Sequence, residues 1–128
     1  MLYNTIERYL MKKDDKKITA LYCRHSTKSD EFIEKQKKPL LDYVKINNIE
    51  KYEFYIDNGY SGISLDRPAL KQLLVDIEKG KIAAIAVTHN NRLLRNYPDK
   101  QIEYWGNFVK LGHILGKNRI GHITLQKP

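Results

Sequence analysis

The chain has 128 residues, which suits one domain built around a single hydrophobic core. Hydrophobic residues make up 41% of it and recur in runs along its length, a composition that argues against a disordered chain. The formal net charge of +8 attracts polyanions such as nucleic acid, although a soluble protein with many surface lysines carries a similar charge.

The single cysteine, Cys23, excludes a disulfide framework and a metal site built from several thiolates. It lies inside an apolar strand, where we expect it to pack as a small hydrophobic side chain. Residues 1–17 are interpreted as an N-terminal extension that ends in the charged linker KKDDKK. They contain no apolar run long enough for a signal peptide or a membrane span, so we expect a cytoplasmic protein with no membrane partner.

The predicted elements alternate between strands and helices. In chain order they are strand 18–23, helix 30–47, strand 51–57, helix 68–79, strand 82–87 and helix 99–110. Residues 122–128 are interpreted as a last short strand. Pro39 interrupts the first helical pattern, so that helix either kinks or starts late. Pro68 and Gly80 suit the start and the stop of the second helix.

This alternation predicts a three-layer α/β domain over residues 18–128, with a mostly parallel central sheet flanked by helices. The third strand is apolar at every position, as expected of a strand that is covered on both faces. In open parallel sheets, ligands and chemistry collect beyond the carboxyl ends of the strands. The residues that follow the three strands are therefore the candidates for a functional site.

The stretch ITALYCRHSTKSD ends the first strand with Tyr22, Arg24 and Ser26 at every second position. Since side chains alternate along a strand, these three are expected to share one side of the sheet. Further polar side chains follow the second and third strands, namely Asp57, Ser61, Asp66, Arg67, Arg92 and Arg95.

The four arginines of this set are expected to converge near the Ser26 hydroxyl. Guanidinium groups repel one another, and phosphate is the anion that matches their forked donors. A serine among arginines suits attack on phosphorus, because the arginines stabilise the charge of the transition state. Alternatively, each arginine pairs with an acid such as Asp57 or Asp66 on a solvated rim. What deprotonates Ser26 stays open: the arginines can stabilise its alkoxide, Asp57 can accept the proton, or the nucleic acid itself can.

Metal and nucleotide sites find less support in the sequence. His25 and His89 lack the spacing of a metal site, and His25 is expected to face away from Ser26 as its neighbour in an extended run. The segment NGYSG matches neither of the glycine-rich nucleotide fingerprints. We therefore expect no metal ion and no cofactor.

Four spaced motifs together resemble the catalytic domain of serine site-specific recombinases. They are YCRHST, the FIEKQ segment that contains Gln36, YIDNGYSGISLDRPALKQLL, and NRLLRN, in that order between about residues 18 and 97. The segments DNGYSG and DRPAL are most similar to the large resolvase and transposon-integrase branch. The resemblance implies cleavage and rejoining of double-stranded DNA by a homodimer or tetramer of the full-length form, without metal or cofactor.

The resemblance also implies a role for each matching position. Ser26 is the expected nucleophile, which forms a covalent phosphoserine bond to the 5′ end of each broken strand. Arg24, Arg67, Arg92 and Arg95 are expected to hold the scissile phosphate. Supporting roles fall to Tyr22, Gln36, Asp57, Ser61 and Asp66, of which Asp66 is expected to fix Arg67. Ser61 can equally be a turn residue only.

The sequence departs from the family at several places. Asn91 and Leu94 replace residues that are usual in the arginine loop, and the resemblance ends after about residue 104. No dimerisation helix and no separate DNA-binding domain are recognisable beyond it. The alternative function is therefore a truncated, inactive remnant that keeps the fold and binds DNA or a recombinase partner. An unrelated α/β regulatory or nucleotide-binding domain leaves the arginine set unexplained.

Overall fold

The computed structural model describes residues 16–89, 92 and 114–125. Its elements are β1 (Ile18–His25), α1 (Asp30–Ile46), β2 (Tyr52–Asn58), α2 (Pro68–Glu78), β3 (Ile82–Val87) and β4 (Gly121–Thr124). The predicted alternation of strands and helices is confirmed for these elements, and α1 runs through Pro39 from its expected start. The predicted helix 99–110 lies outside the described residues.

The four strands form one parallel sheet in the order β2-β1-β3-β4. The predicted mostly parallel α/β sheet is thereby confirmed. β1 is central among the three strands that carry candidate site residues, with β2 on one side and β3 on the other. Because all strands run in the same direction, the residues that follow β1, β2 and β3 emerge at the same edge of the sheet.

Alternate residues of β1 face two separate hydrophobic clusters, one on each side of the sheet. Ala20 and Tyr22 belong to the cluster that contains Leu70, Leu73 and Ile77 of α2. The other cluster combines β1 and α1 residues, namely Leu21, Cys23, Ile33, Leu40 and Val44. The sheet is therefore covered by α1 on one face and by α2 on the other, which accounts for the continuous apolar character of β1 and β3.

The helix boundaries follow local chemistry. Ser29 caps α1, since its Oγ accepts a hydrogen bond from the backbone N–H of Phe32 at 3.3 Å. Gly80 follows α2 with a φ of +75°, in the left-handed region that glycine adopts without strain. Its N–H donates to the carbonyl of Ile77 at 2.9 Å, which confirms the predicted stop. None of the helices among the described residues has the length and apolarity needed to cross a lipid bilayer.

Removal of a buried side chain from α2 tests how much this layer contributes to stability. Leu73 is fully buried, so Leu73→Ala is expected to lower the free energy of unfolding by about 2–5 kcal/mol. Val75 lies on the same helix with 45% of its surface exposed, and Val75→Ala is expected to cost less than about 1 kcal/mol. Urea titration of the two variants measures both values. Similar losses would contradict the assignment of the buried face.

Candidate active site

Arg24 and Ser26 meet at the carboxyl end of β1. Ser26 is exposed, whereas Arg24 retains only 2% of its surface. Arg24 Nη1 donates hydrogen bonds to Ser26 Oγ at 3.0 Å and to the carbonyl oxygen of Tyr60 at 2.9 Å. The two side chains therefore lie on one side, as alternation along the strand predicts. An exposed hydroxyl thus rests against a buried positive charge.

Arg67 brings a second buried guanidinium group to the same place. Its Nη1 donates to the Tyr22 hydroxyl at 3.2 Å and to the carbonyl oxygen of Arg92 at 3.0 Å. Arg24 Nε donates to that same carbonyl oxygen at 3.1 Å. Two positively charged groups, one on β1 and one directly before α2, therefore converge on one acceptor, next to the hydroxyl that Arg24 contacts.

Asp57 holds the Arg67 end of this arrangement in place. Its carboxylate is 1% exposed and accepts hydrogen bonds from the backbone N–H groups of Ala69 and Leu70, at 2.8 and 3.0 Å. Arg67 occupies the N-cap position of α2 and makes no side-chain cap bond there. A carboxylate from β2 therefore caps the helix in its place, where it also suits the positive end of the helix dipole.

Tyr22 links Asp57 to Arg67. Its hydroxyl donates to Asp57 Oδ2 at 2.6 Å and accepts from Arg67 Nη1. Burial raises the pKa of Tyr22 well above its ordinary value, although the positive charge of Arg67 acts in the opposite direction. The phenol therefore stays protonated at neutral pH and serves as a fixed hydrogen-bond bridge.

Gln36 pairs with the backbone of β1 where β3 no longer does, while β2 still pairs with β1 on its other side. The register of β1 with β3 ends at Leu21 and Ala86, three residues before Arg24. Gln36 Oε1 accepts from the backbone N–H of Arg24 at 3.1 Å, and its Nε2 donates to the carbonyl of Arg24 at 2.9 Å. The buried amide of α1 thus replaces a neighbouring strand and fixes the backbone that carries Arg24.

The side chain of Arg92 lies on the α1 side of the strand. Its Nη1 donates to the carbonyl oxygen of Arg24 at 3.2 Å, the same oxygen that Gln36 contacts. Burial lowers the pKa of Arg92. The guanidinium groups of Arg24 and Arg67 thus contact the Arg92 carbonyl oxygen, whereas the Arg92 guanidinium group contacts the Arg24 backbone. Arg95, the fourth expected arginine, lies outside the described residues.

Two of the expected supporting residues make only local contacts. Ser61 is exposed and its Oγ accepts from the backbone N–H of Ile63 at 3.2 Å, which is a turn contact. The carboxylate of Asp66 accepts from Lys71 Nζ at 2.6 Å, and this hydrogen bond lowers the pKa of Asp66. The contact of Asp66 is therefore with Lys71 instead of Arg67. The backbone at Arg67 is extended, so adjacent side chains point in opposite directions.

Several contacts of the site carry little signal in the sequence. The carbonyl oxygen of Ser64 accepts from Arg67 Nε at 2.8 Å, in the supporting place that was expected of Asp66. A backbone acceptor does not depend on the side chain that carries it, so no motif reveals it. Asn58 accepts from the backbone N–H of Ser29 at 2.8 Å and donates to Asp30 at 3.0 Å. Asn58 is the last residue of β2, one position beyond the end of the predicted strand, and its place at the start of a turn-rich segment was the only available hint.

The side chains of His25 and Cys23, two residue types that often bind metals, take no part in the described hydrogen bonds of this cluster. The His25 ring stacks on Phe32 with ring centroids 4.5 Å apart, and its Nδ1 lies 2.5 Å from the carbonyl oxygen of Thr27. Cys23 is buried, and burial raises the pKa of its thiol to about 12. Within the described ranges, no three His, Cys, Asp or Glu side chains are grouped so that they could hold a metal ion.

Comparisons with known proteins point to one family. The family model described as "Resolvase, N terminal domain" matches residues 19–111. "Putative resolvase L103" of Acanthamoeba polyphaga mimivirus is 37% identical over 100 residues, which cover 73% of this chain and 48% of that protein. "Uncharacterized immunity region protein 3" of Bacillus phage phi105 is 36% identical over 75 residues, which cover 56% of this chain and 92% of that protein.

A solved structure supports the same assignment. The crystal structure of the N-terminal catalytic domain of TP901-1 integrase is similar with a TM-score of 0.70 and 28% sequence identity. The similarity covers 85% of this chain and 78% of that one. The chain therefore spans most of a catalytic domain and about half the length of the mimivirus relative, while it spans nearly all of the phage phi105 relative.

Removal of the Tyr22 hydroxyl tests whether it supports the buried charges. Tyr22→Phe leaves Asp57 and Arg67 without one buried partner, so the free energy of unfolding is expected to fall by about 1–3 kcal/mol. Tyr52, 39% exposed on β2, provides the matched control, and Tyr52→Phe is expected to change little. Chemical denaturation measures both. Equal effects of the two substitutions would contradict the bridging role.

Proposed function

Because the chain belongs to the family of resolvase N-terminal domains, we propose that it cleaves and rejoins DNA strands in site-specific recombination, with Ser26 as the nucleophile. One observation carries the proposal, the hydrogen bond of 3.0 Å from the buried Arg24 guanidinium to the exposed Ser26 hydroxyl. Exposure lets a phosphodiester reach Oγ. The adjacent positive charge stabilises the negative charge that develops on oxygen as its proton leaves.

The proposed step is the attack of Ser26 Oγ on the phosphorus of a DNA phosphodiester. The Oγ–P bond forms while the bond from phosphorus to the 3′ oxygen breaks, which leaves a phosphoserine at the 5′ end and a free 3′ hydroxyl. The serine proton is balanced by the proton that the 3′ oxygen gains. Rejoining reverses these bonds, so the energy of the phosphodiester is retained in the serine ester and the reaction uses no metal and no cofactor.

The proposed roles differ in how directly each residue acts. Arg24 and Arg67 hold the scissile phosphate, together with Arg92 and Arg95. Tyr22, Gln36 and Asp57 are positioning residues, because their described contacts reach other protein groups. Asp57 already accepts three hydrogen bonds, from Tyr22, Ala69 and Leu70, which makes it a poor acceptor for the Ser26 proton. Ser61 and Asp66 are left out, since their contacts are local.

Double-stranded DNA is the proposed partner, and the net charge of +8 supports it. Cleavage of both strands of a duplex requires more than one serine, so the proposed active form is a homodimer or tetramer of the full-length protein. The mimivirus relative, a putative resolvase, is about twice as long as the region that this chain matches. Its length supports a full-length form with further parts beyond the region matched here.

A second candidate is a non-catalytic remnant that keeps the fold and binds DNA or a recombinase partner. The contacts of Arg92 favour it, because its guanidinium group donates to the Arg24 backbone while its carbonyl accepts from Arg24 and Arg67. In a site prepared for phosphate, the guanidinium groups of all of its arginines would instead be directed toward Ser26. The phage phi105 relative, nearly all of which this chain matches, is named for an immunity region and not for recombination.

A covalent adduct on Ser26 distinguishes the two functions. The chain is incubated with DNA from the genome that carries its reading frame, digested with nuclease and protease, and analysed by mass spectrometry. We expect a deoxynucleotide on the Ser26 peptide, and none after Ser26→Ala. Thr27→Ala, which removes the next exposed hydroxyl along the chain, is expected to keep the adduct. A wild-type chain that binds this DNA without any adduct would establish the remnant in place of the enzyme.

Salt dependence tests DNA contact independently of cleavage. Binding to a random-sequence duplex is expected to weaken steeply between 50 and 200 mM salt, because each neutralised phosphate releases counterions; contacts with six or more phosphates lose roughly a thousandfold in affinity over that range. Fluorescence anisotropy with a labelled duplex measures the slope. Affinity that does not respond to salt would contradict any function based on phosphate contacts.

A further inference from the structure

A cavity of about 160 Å³ lies between α1 and the carboxyl end of β3. α1 contributes Phe32, Lys35 and Gln36 to its lining, and Thr88, His89 and Arg92 follow β3. Ser26, Arg24 and Arg67 do not line it. The cavity therefore adjoins the cluster around the candidate nucleophile and shares Gln36 and Arg92 with it, but Ser26 does not line it.

Two buried polar atoms at this cavity lack a hydrogen-bond partner in the described part of the chain. They are the Thr88 hydroxyl oxygen and Arg92 Nε. Thr88 is only 5% exposed, so its hydroxyl has given up water without a protein group to replace it. Buried polar groups are hydrogen-bonded in the great majority of cases, and each exception requires an explanation. A ligand with oxygen acceptors would satisfy both atoms.

The charge of the lining selects the kind of ligand. Arg92 and Lys35 are cationic, and none of the described lining residues is an Asp or a Glu. Lys35 Nζ lies 3.4 Å from Glu31, but both side chains are mostly exposed, so solvent screens this pair. Burial lowers the pKa of Arg92, and an anion beside it would offset that desolvation. Among the described lining residues, the cavity thus combines unpaired donors with a positive charge.

We propose that this cavity is a second phosphate-binding site, in which Thr88, Lys35 and Nε of Arg92 donate to the oxygen atoms of one phosphate group, adjacent to the scissile phosphate that the same arginine is proposed to hold. Phosphate oxygens match the forked donors of an arginine and accept from a hydroxyl at the same time. A water molecule takes about 30 Å³ in the liquid, so the volume suits one phosphate group, whereas drug-sized ligands fill about 300 Å³ or more. The phosphate group is either part of a DNA backbone or a free phosphate ion. The site itself does not depend on the proposed function; only its assignment to a phosphate of the DNA backbone does.

Inorganic phosphate is the first probe. Titration of the ¹⁵N-labelled chain is followed by NMR, with sodium chloride at equal ionic strength as the reference. We expect saturable shifts of the Thr88, His89 and Lys35 amide signals that chloride does not produce. Shifts confined to Ser26 and Arg24 would place phosphate at the candidate active site only and would overturn the proposal. The measurement includes no cleavage step, so a failure of catalysis by Ser26 leaves its result unchanged.

Substitutions at Thr88 separate a ligand role from a structural one. Thr88→Val keeps the shape and removes an unpartnered hydroxyl, so the phosphate-free chain is expected to be as stable as the wild type or more so. Its phosphate affinity is nevertheless expected to fall at least about tenfold. Thr88→Ser, which retains the hydroxyl, is expected to preserve binding. Equal phosphate affinity of the valine variant and the wild type would mean that the cavity holds water only.

A pair of lysines on α1 provides the charge control. Lys35 lines the cavity, whereas Lys38, exposed on the same helix, does not. Lys35→Met is expected to weaken phosphate binding, and Lys38→Met is expected to leave it unchanged. If the two substitutions weaken phosphate binding equally, general surface charge explains the effect and the proposed site is contradicted.

Duplex DNA then identifies the source of the phosphate group. If the group belongs to a DNA backbone, Thr88→Val and Lys35→Met weaken binding to a random-sequence duplex, and Lys35→Met also reduces the salt slope. If they weaken binding of inorganic phosphate alone, the site takes a free phosphate ion. Both results support a phosphate site, and the absence of any effect on either probe refutes it.

Discussion

The carboxylate of Asp57 is the constraint on which the candidate site depends. It lies at the end of β2, accepts from two N–H groups at the start of α2, and accepts from the Tyr22 hydroxyl of β1. One side chain therefore joins two strands and a helix at the carboxyl edge of the sheet. Because Asp57 supplies the cap that α2 needs, Arg67 at the N-cap position can direct its guanidinium group inward. The position of Arg67, the second buried positive charge, therefore depends on Asp57 capping α2 in its place.

A second set of contacts fixes the other positive charge. Arg24 lies beyond the point where β1 pairs with β3, and the Gln36 amide satisfies both of its backbone polar groups. Its backbone is therefore as constrained as in a continuous sheet, while its side chain reaches Ser26. Ser26, the candidate nucleophile, stays exposed in the loop after the strand. A rigid frame of buried polar contacts thus carries an accessible hydroxyl, which is the arrangement that precise positioning of a reactive group requires.

The regular part of the molecule was predictable from the sequence, since it rests on local patterns. The apolar run IAAIAV predicted both ends of β3 correctly. The alternation of side chains along β1 predicted that Arg24 and Ser26 lie on the same side. The irregular segments were less predictable, because backbone direction there depends on tertiary contacts. Asp66 and Arg67 adjoin in sequence yet point in opposite directions, and Ser64 and Tyr60 act through carbonyl oxygens that any residue would provide. The direction of the Arg92 side chain could not be predicted, because Arg92 lies beyond β3, where no strand or helix periodicity applies.

The shared acceptor of the two buried arginines has a consequence for ligand binding. The Arg92 carbonyl oxygen lies 3.1 Å from Arg24 Nε and 3.0 Å from Arg67 Nη1, so it accepts a hydrogen bond from each of the two cations. In the proposed function, this peptide oxygen competes with the phosphate, which has to displace it before both guanidinium groups can donate these protons to the ligand. The apparent affinity is then reduced in proportion to the fraction of molecules in which this internal competitor has withdrawn. Such a competitor discriminates against weak, isolated anions and favours a polyanion that is anchored at several points at once.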